Sequence, residues 1–199
     1  RILMLDLEGV DTENADGLKD FRYGLMTAAE KAWFDGKCSV LAQCATLSSA
    51  NRQVVDNGEN IVNWLRGQQQ HANDSVLRAY SQTPTIPAGL TAPLPIVLGD
   101  IASSKPAYLR EPRKAYTRNG YNQYKLDNAS RQPTVFVAAN DGMLHAFDAG
   151  NGNELWAYMP RITMKKLHLQ ASTTYSTNHQ FSTDGSPEIS DVKIGTNWR

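Results

Sequence analysis

The residues of this chain best suited to chemistry are its four histidines, its two cysteines and its Asp-Gly pairs. A zinc centre needs four nitrogen or sulfur ligands at short, regular spacings. His71, His168 and His179 lie in polar stretches with no cysteine or carboxylate at a matching distance. His145 alternates with Met143 and Phe147, as a packed or edge residue of a strand does. Cys38 and Cys44 form neither a Cys-x-x-Cys redox pair nor half of a zinc quartet. On spacing alone, two independent thiols and a local disulfide both remain open. A calcium-binding EF-hand loop needs oxygen ligands at its first, third and fifth positions, glycine at the sixth and a carboxylate at the twelfth. With Gly17 at the sixth position, Thr12 is first and Tyr23 twelfth. With Gly142 there, Val137 and Ala139 fall at the first and third positions, and with Gly185 there, Gln180 and Ser182 do. All three fail, and these Asp-Gly pairs read as turns. The chain holds no nucleophile elbow, phosphate-cradling glycine loop or Ser/His/Asp pattern. The expectation is a protein that is not an enzyme, with no catalytic residue, cofactor or metal ligand in this stretch.

The elements that position these residues are clearest around Asp141. Val135 to Ala139 is apolar and β-branched, and Asn140-Asp141-Gly142 supplies the left-handed backbone of a tight hairpin. Met143 to Phe147 is a second strand, and Ala149 to Asn153 is a second turn. Leu155 to Tyr158 is a third strand, closed by Pro160. Asp148 ends a strand just before a turn whose amides its carboxylate can accept. Trp156 presents a large flat surface. A meander apolar on both faces suits a β-propeller blade, which has neighbours on both sides. Pro106 to Leu109 reads as a further strand. Pro106 and Pro187 open two successive units. Setting aside the charged insertion Arg110 to Gln132, their spacing is the roughly 40 to 50 residues of a propeller repeat. One complete blade is expected, with strands near 106–110, 134–139, 143–148 and 154–159. A second blade should open near 187–194, with its next strand due where the chain stops at Arg199.

Upstream, residues 1 to 7 read as a strand and a polar loop runs through Asp20. Thr27-Ala-Ala-Glu30 has capping-box spacing and predicts a short helix carrying Ala28, Ala29, Ala32 and Trp33 to near Gly36. Asp56-Asn-Gly-Glu59 repeats the signal. Ile61, Trp64 and Leu65 then share a helical face, and Gly67 is the stop. Both helices are expected to decorate the β body. Gln68 to Asp74 is polar, Thr83 to Pro95 contains four prolines and should run extended, and regular structure should return at Ile96 to Leu98. With 20 basic and 20 acidic residues in 199, the chain has no basic stripe for nucleic acid. No apolar run approaches the roughly 20 residues that span a bilayer. The strand-like opening at Arg1, without initiator methionine or signal peptide, reads as a piece of something longer.

The wording of the meander resembles known repeats. Asp141, Gly142, Ala146, Asp148, Gly152 and Trp156 spell Asp-Gly-x-x-x-Ala-x-Asp-x-x-x-Gly-x-x-x-Trp, which resembles the repeat of quinoprotein-type propellers, where the tryptophan docks on the neighbouring blade. Asn140 to Ala149 more narrowly resembles the C-terminal propeller of the type IV pilus tip adhesin and biogenesis family (the PilY and PilC proteins). Asn60 to Gly67, Leu98 to Pro106 and Asp184 to Val192 are similar to that family in the same order. Lys105, where a small residue is usual, and Gln68 to Pro95 depart from it.

The resemblance implies a mainly β chain: the first part of a β-propeller built of four-stranded antiparallel blades, with short inserted helices. Residues 1–95 would be a lead-in with helices and a Pro-rich loop, and residues 96–199 one blade and the start of the next. It implies an exported protein at the pilus tip, the outer-membrane surface or the periplasm of a Gram-negative bacterium. Its work would be to promote pilus assembly against retraction and to adhere. Its partners would be minor pilins and a host or abiotic surface, with the loops Gln68–Pro95 and Arg110–Gln132 held for recognition. Calcium belongs to a later part of the family's propeller. In an oxidising compartment, Cys38 and Cys44 are expected to form a disulfide. Two alternatives share the repeat. One is a periplasmic scaffold propeller of outer-membrane assembly. The other is a dehydrogenase using pyrroloquinoline quinone, which often has adjacent paired cysteines beside the cofactor, unlike Cys38 and Cys44.

Overall fold

The structure is a computed structural model that describes residues 1–6, 17–81 and 95–199. The expected extended loop over Thr83 to Pro95 lies, Pro95 apart, outside the described residues, as does most of the expected polar loop before Asp20. Six strands form one sheet: β1 (Ile2–Leu5), β2 (Leu18–Asp20), β3 (Ala107–Leu109), β4 (Thr134–Ala139), β5 (Met143–Asp148) and β6 (Glu154–Met159). Their order is β2-β1-β6-β5-β4-β3. Strands β3 to β6 are an antiparallel meander at the positions the turn chemistry specifies. Gly142 stands at φ 93° and Gly152 at φ 77° in the two turns. A bulge between Ala146 and Phe147 shifts the register with β6.

The sheet does not stop at the blade. Strand β1 pairs with β6 in parallel, and β2 pairs with β1 antiparallel. Residues 18–20 are thus a strand, where the sequence suggests the end of a polar loop. The segment reads as polar because of Lys19, yet Lys19 is fully buried and donates to Glu30 at 2.8 Å. The sheet also crosses the division at residue 95, since β1 belongs to the first part and β6 to the second.

Among the described residues five α-helices accompany the sheet: α1 (Ala28–Lys31), α2 (Ser49–Asp56), α3 (Gly58–Leu65), α4 (Tyr121–Asp127) and α5 (Arg161–Leu167). The capping box of α1 is present in both directions: the Thr27 hydroxyl accepts from the Glu30 amide, and the Glu30 carboxylate accepts from the Thr27 amide. Helix α3 begins one residue later than the signal at Asp56 suggests. Its cap is Asn57, which accepts the Glu59 amide at 3.0 Å. Asp56 instead ends α2 and accepts the Cys38 amide at 2.7 Å. Helices α2, α4 and α5 are additions to the sequence reading, α4 lying inside the charged insertion.

The helices are not decorations. Strand register places Met4, Met143, Ala157 and Met159 on one sheet face. These four pack in one cluster with Phe21, Phe34, Val55, Ile61, Leu77, Met164 and Leu167, all nearly or wholly buried. Burying that many large apolar side chains is the main stabilisation available to a chain of this size. The structure joins Cys38 to Cys44 beside α2, with Cα atoms 5.3 Å apart.

Two further expectations are corrected. Ile96 to Leu98 is not a strand. All three side chains are exposed, and the Ile96 amide donates to the Ser81 carbonyl at 2.7 Å. The second blade shows regular pairing at β7 (Lys193–Ile194), and a turn at Gly195 leads to β8 (Asn197–Trp198). A hairpin therefore closes before Arg199, where the sequence places the start of a strand. No closed barrel forms among the described residues.

Candidate functional site

The first turn of the blade is where separate parts of the chain meet. Asn140 donates its amide to the Asp100 carbonyl at 2.9 Å and its side-chain nitrogen to the Asp100 carboxylate at 2.7 Å. Its side-chain oxygen accepts the Ser182 amide, and its carbonyl accepts from Gln170. Asp141 accepts the Met143 amide at 3.1 Å, as a turn aspartate does, and also the Gly99 amide at 2.9 Å. That approach requires glycine, because a Cβ on Gly99 would overlap the Asp141 amide. Asn140 and Asp141 thus clasp the 99–100 segment to the blade.

Behind the turn sits His145, only 4% exposed. Its Nε2 lies 3.0 Å from Asp141 Oδ2, and its Nδ1 lies 2.6 Å from Glu154 Oε1. A neutral imidazole has one N–H and would set a lone pair against one of these carboxylates. With both nitrogens facing carboxylate oxygens, the ring is an imidazolium. Burial works against the charged ring, but the hydrogen bonds to Asp141 and Glu154 outweigh it and push its pKa up to about 9. The Glu154 carboxyl is held below its ordinary range, chiefly by its hydrogen bond to His145. The sequence reading has His145 as a lone packed residue and misses both partners. Glu154 pairs across the bulge with Phe147, so it is remote in sequence. The available signal was the Asp-x-x-x-His spacing, with an acid opening the next strand.

Two cavities flank this turn, between the end of α3 and the blade. One, of about 140 Å³, is lined by Leu65, Arg66, Val97, Leu98, His145 and Glu154, among others. The other, of about 210 Å³, includes Trp64, Arg78, Asn140, Gln170 and Tyr175. Arg78 lies over the rings of Trp64 and Tyr175, 5.1 Å from each centroid, and donates to the Gln170 carbonyl. The charged groups of the turn are committed to one another.

The other expected residues fall as follows. Asp148 accepts the Gly150 amide at 2.7 Å and side-chain donors from Gln132 and Asn151, and Gly152 donates to its carbonyl. Trp156 is partly buried, with Phe136 its ring neighbour at 5.7 Å. Both lie opposite Ala146, on the sheet face away from the helical core. His168 is half-buried, and desolvation followed by the nearby Lys37 pushes its pKa down to about 4. His179 pairs with Asp100 at 2.8 Å. No group of three or more His, Cys, Asp or Glu is placed to hold a metal ion among the described residues. The charged insertion does not project as a free loop. Its Tyr116 and Tyr121 pack on Trp198 of β8, and Tyr121 donates to Asp191 at 2.7 Å.

The two repeat openings lie side by side. Ser103 donates its amide to Asp184, Ser104 its hydroxyl to the Gly185 carbonyl, and Lys105 its amide to Ser186. Each bond spans 81 residues, so equivalent positions of successive units touch. A four-stranded antiparallel meander whose opening is bonded to a later, similar opening suits a β-propeller blade. The chain belongs to the PilY1 β-propeller domain family, whose model matches residues 96–199. A type IV pilus biogenesis factor PilY1 homolog of Xylella fastidiosa is 35% identical over 169 residues, covering 80% of this chain and 12% of that protein. Type IV pilus biogenesis factor PilY1 of Pseudomonas aeruginosa is 30% identical over 192 residues, covering 92% of this chain and 14% of that protein. The chain therefore spans about an eighth of the length of these curated relatives. No solved structure matches it. No helix is long and apolar enough to cross a membrane among the described residues.

Proposed function

We propose that the protein containing this chain acts at the tip of type IV pili or on the outer surface, without turnover. There it promotes pilus assembly against retraction and contributes to adhesion through minor pilins and a host or abiotic surface. The observation that carries this reading is membership of the PilY1 propeller family across the blade, joined to relatives named as pilus biogenesis factors. The rigid first turn supports it. A blade whose turn is clasped by Asn140, Asp141 and His145 holds neighbouring surfaces at fixed positions, which suits recognition. Repeat residues Asp141, Gly142, Asp148, Gly152 and Trp156 serve packing and turn geometry in this reading, with the exposed side of Trp156 taking the next blade. Calcium would bind elsewhere in the full-length protein. Deleting the gene should reduce surface pili and adhesion, and blocking retraction in the deletion strain should restore some pili. Normal piliation and twitching in that strain would reject the assignment, as would dye-linked alcohol oxidation by the full-length protein with quinone and calcium added.

A further inference from the structure

The cross-strand pair β1–β2 buries a lysine between two carboxylates in the core of the helical body. Lys19 is fully buried on the sheet face that carries Met4, its direct partner across the pair. Its Nζ lies 2.8 Å from Glu30 Oε2 and 3.6 Å from Asp6 Oδ1, and the two carboxylates are each only 3% exposed. The carboxylates are held differently. Glu30 is fixed by its place in the α1 capping box, where it accepts the Thr27 amide at 2.9 Å, and Arg161 stands 3.7 Å from its other oxygen. Asp6 directly follows β1, and its amide donates to the Gly17 carbonyl at 2.8 Å. It therefore continues the ladder diagonally across from Lys19, where side chains on one face meet.

We propose that this trio is a self-modification site, in which Lys19 Nζ and Asp6 Cγ join in an intramolecular isopeptide bond with Glu30 as the proton carrier. One ammonium proton passes from Nζ through Glu30 Oε2 to the Asp6 carboxyl, leaving a neutral amine beside a carboxylic acid. The amine lone pair attacks Cγ. Glu30 then takes a second proton from nitrogen and delivers it to the departing oxygen. The Nζ–Cγ bond forms, a Cγ–O bond breaks, and ammonium plus carboxylate become amide plus one water. No oxidant or other reactant is required. Burial favours this outcome in two ways. Charges held out of water are costly, whereas an amide is neutral. The fold also holds amine and carboxyl in contact, which supplies the orientation that a reaction between free groups lacks. Glu30 Oε2 touches the reacting nitrogen and stays anchored by the Thr27 amide throughout, so it is the carrier and Asp6 the acceptor.

Intact-mass measurement on the folded chain, after reduction and alkylation to set the Cys38–Cys44 disulfide aside, reads the bond directly. The expected mass is one water below that of the sequence with both cysteines alkylated, with a peptide map linking Asp6 to Lys19. Glu30→Gln keeps a side chain that the capping box accepts, and it should fold with the full mass. Asp6→Ala should also lose the link. A wild-type chain of full mass would overturn the proposal. So would a water loss mapped to an Asp-Gly pair or to a Lys19–Glu30 link, or an undiminished Lys19–Asp6 link in Glu30→Gln.

Discussion

In the blade, β4, β5 and β6 run six residues each and are tied to their neighbours in an antiparallel ladder, with two short turns between them. In the helical body, from Phe21 to Tyr80, no helix exceeds eight residues, and order comes from side chains that meet from distant parts of the chain. Gln43 shows the contrast: its side chain donates to the carbonyls of Val76 and of Ala171, 128 residues away. Ladder bonds and turn geometry define the blade locally. The body is defined by burial, a disulfide and buried ion pairs. The blade should therefore be most sensitive to backbone conformation, and the body to lost volume.

The largest effect is expected in the body. Phe34 is fully buried and meets Phe21 edge-on, with centroids 6.0 Å apart. Phe34→Ala should cost about 4 kcal/mol in chemical denaturation. A cost under about 1 kcal/mol would show that the body adds little to the stability of the sheet. In the blade, Gly142→Val should cost roughly 3 kcal/mol, because a β-branched residue is strained at φ 93° and its Cβ would fall 2.5 Å from Leu167 Cδ2. Equal stability of this variant would mean that the first turn relaxes and does not direct the meander.

The buried imidazolium gives the blade a pH dependence. His145 has a raised folded-state pKa, so its stabilisation is complete below the unfolded value of about 6.5 and is lost as pH climbs through about 9. Thermal midpoints of the wild type should fall across that window, while His145→Gln, about 2 kcal/mol less stable at neutral pH, should show a flatter profile. Identical slopes would place the alkaline loss elsewhere. Reducing the Cys38–Cys44 bond should cost the body about 2 kcal/mol, since the loop it closes is short. Finding two free thiols after alkylation without reductant, in chain exported to the periplasm, would remove this bond from the comparison.

The same contrast explains what the sequence could tell. The blade was legible because Asn140-Asp141-Gly142 and Ala149 to Asn153 fix turns through residues whose backbone preferences act over a few positions. The capping box at Thr27 and Glu30 and the stop at Gly67 were legible for the same reason. The six-stranded extent of the sheet was not, because β1 meets β6 across most of the chain and buries Met4 in a core shared with distant segments. Lys19 hid β2, since a charged residue at a strand position reads as solvent-facing until its carboxylate partners are known. The link between His145 and Glu154 was concealed by the bulge. Helix α2 escaped notice because Val55 is its one buried residue and only Ala50 and Val54 are otherwise apolar in it.

Trp156 offers an equally small effect and the sharpest test of where the blade ends. In this chain it is partly exposed, with Phe136 as its ring neighbour on the face away from the helical core. Truncation to alanine removes a partly buried ring here, so Trp156→Ala should cost roughly 2 kcal/mol in the isolated chain, below the cost at Phe34. If a neighbouring blade covers that face in the intact protein, the same substitution there should cost about 3 to 5 kcal/mol, the range for a buried tryptophan. The ratio between the two measurements therefore reports how much of Trp156 is covered by residues outside this chain. Equal, small costs in both settings would leave the face open to solvent and would deny Trp156 a docking role. A large cost in the isolated chain would instead mean that Phe136 and Trp156 already form a closed core of their own, and that the blade is complete without a partner on that side.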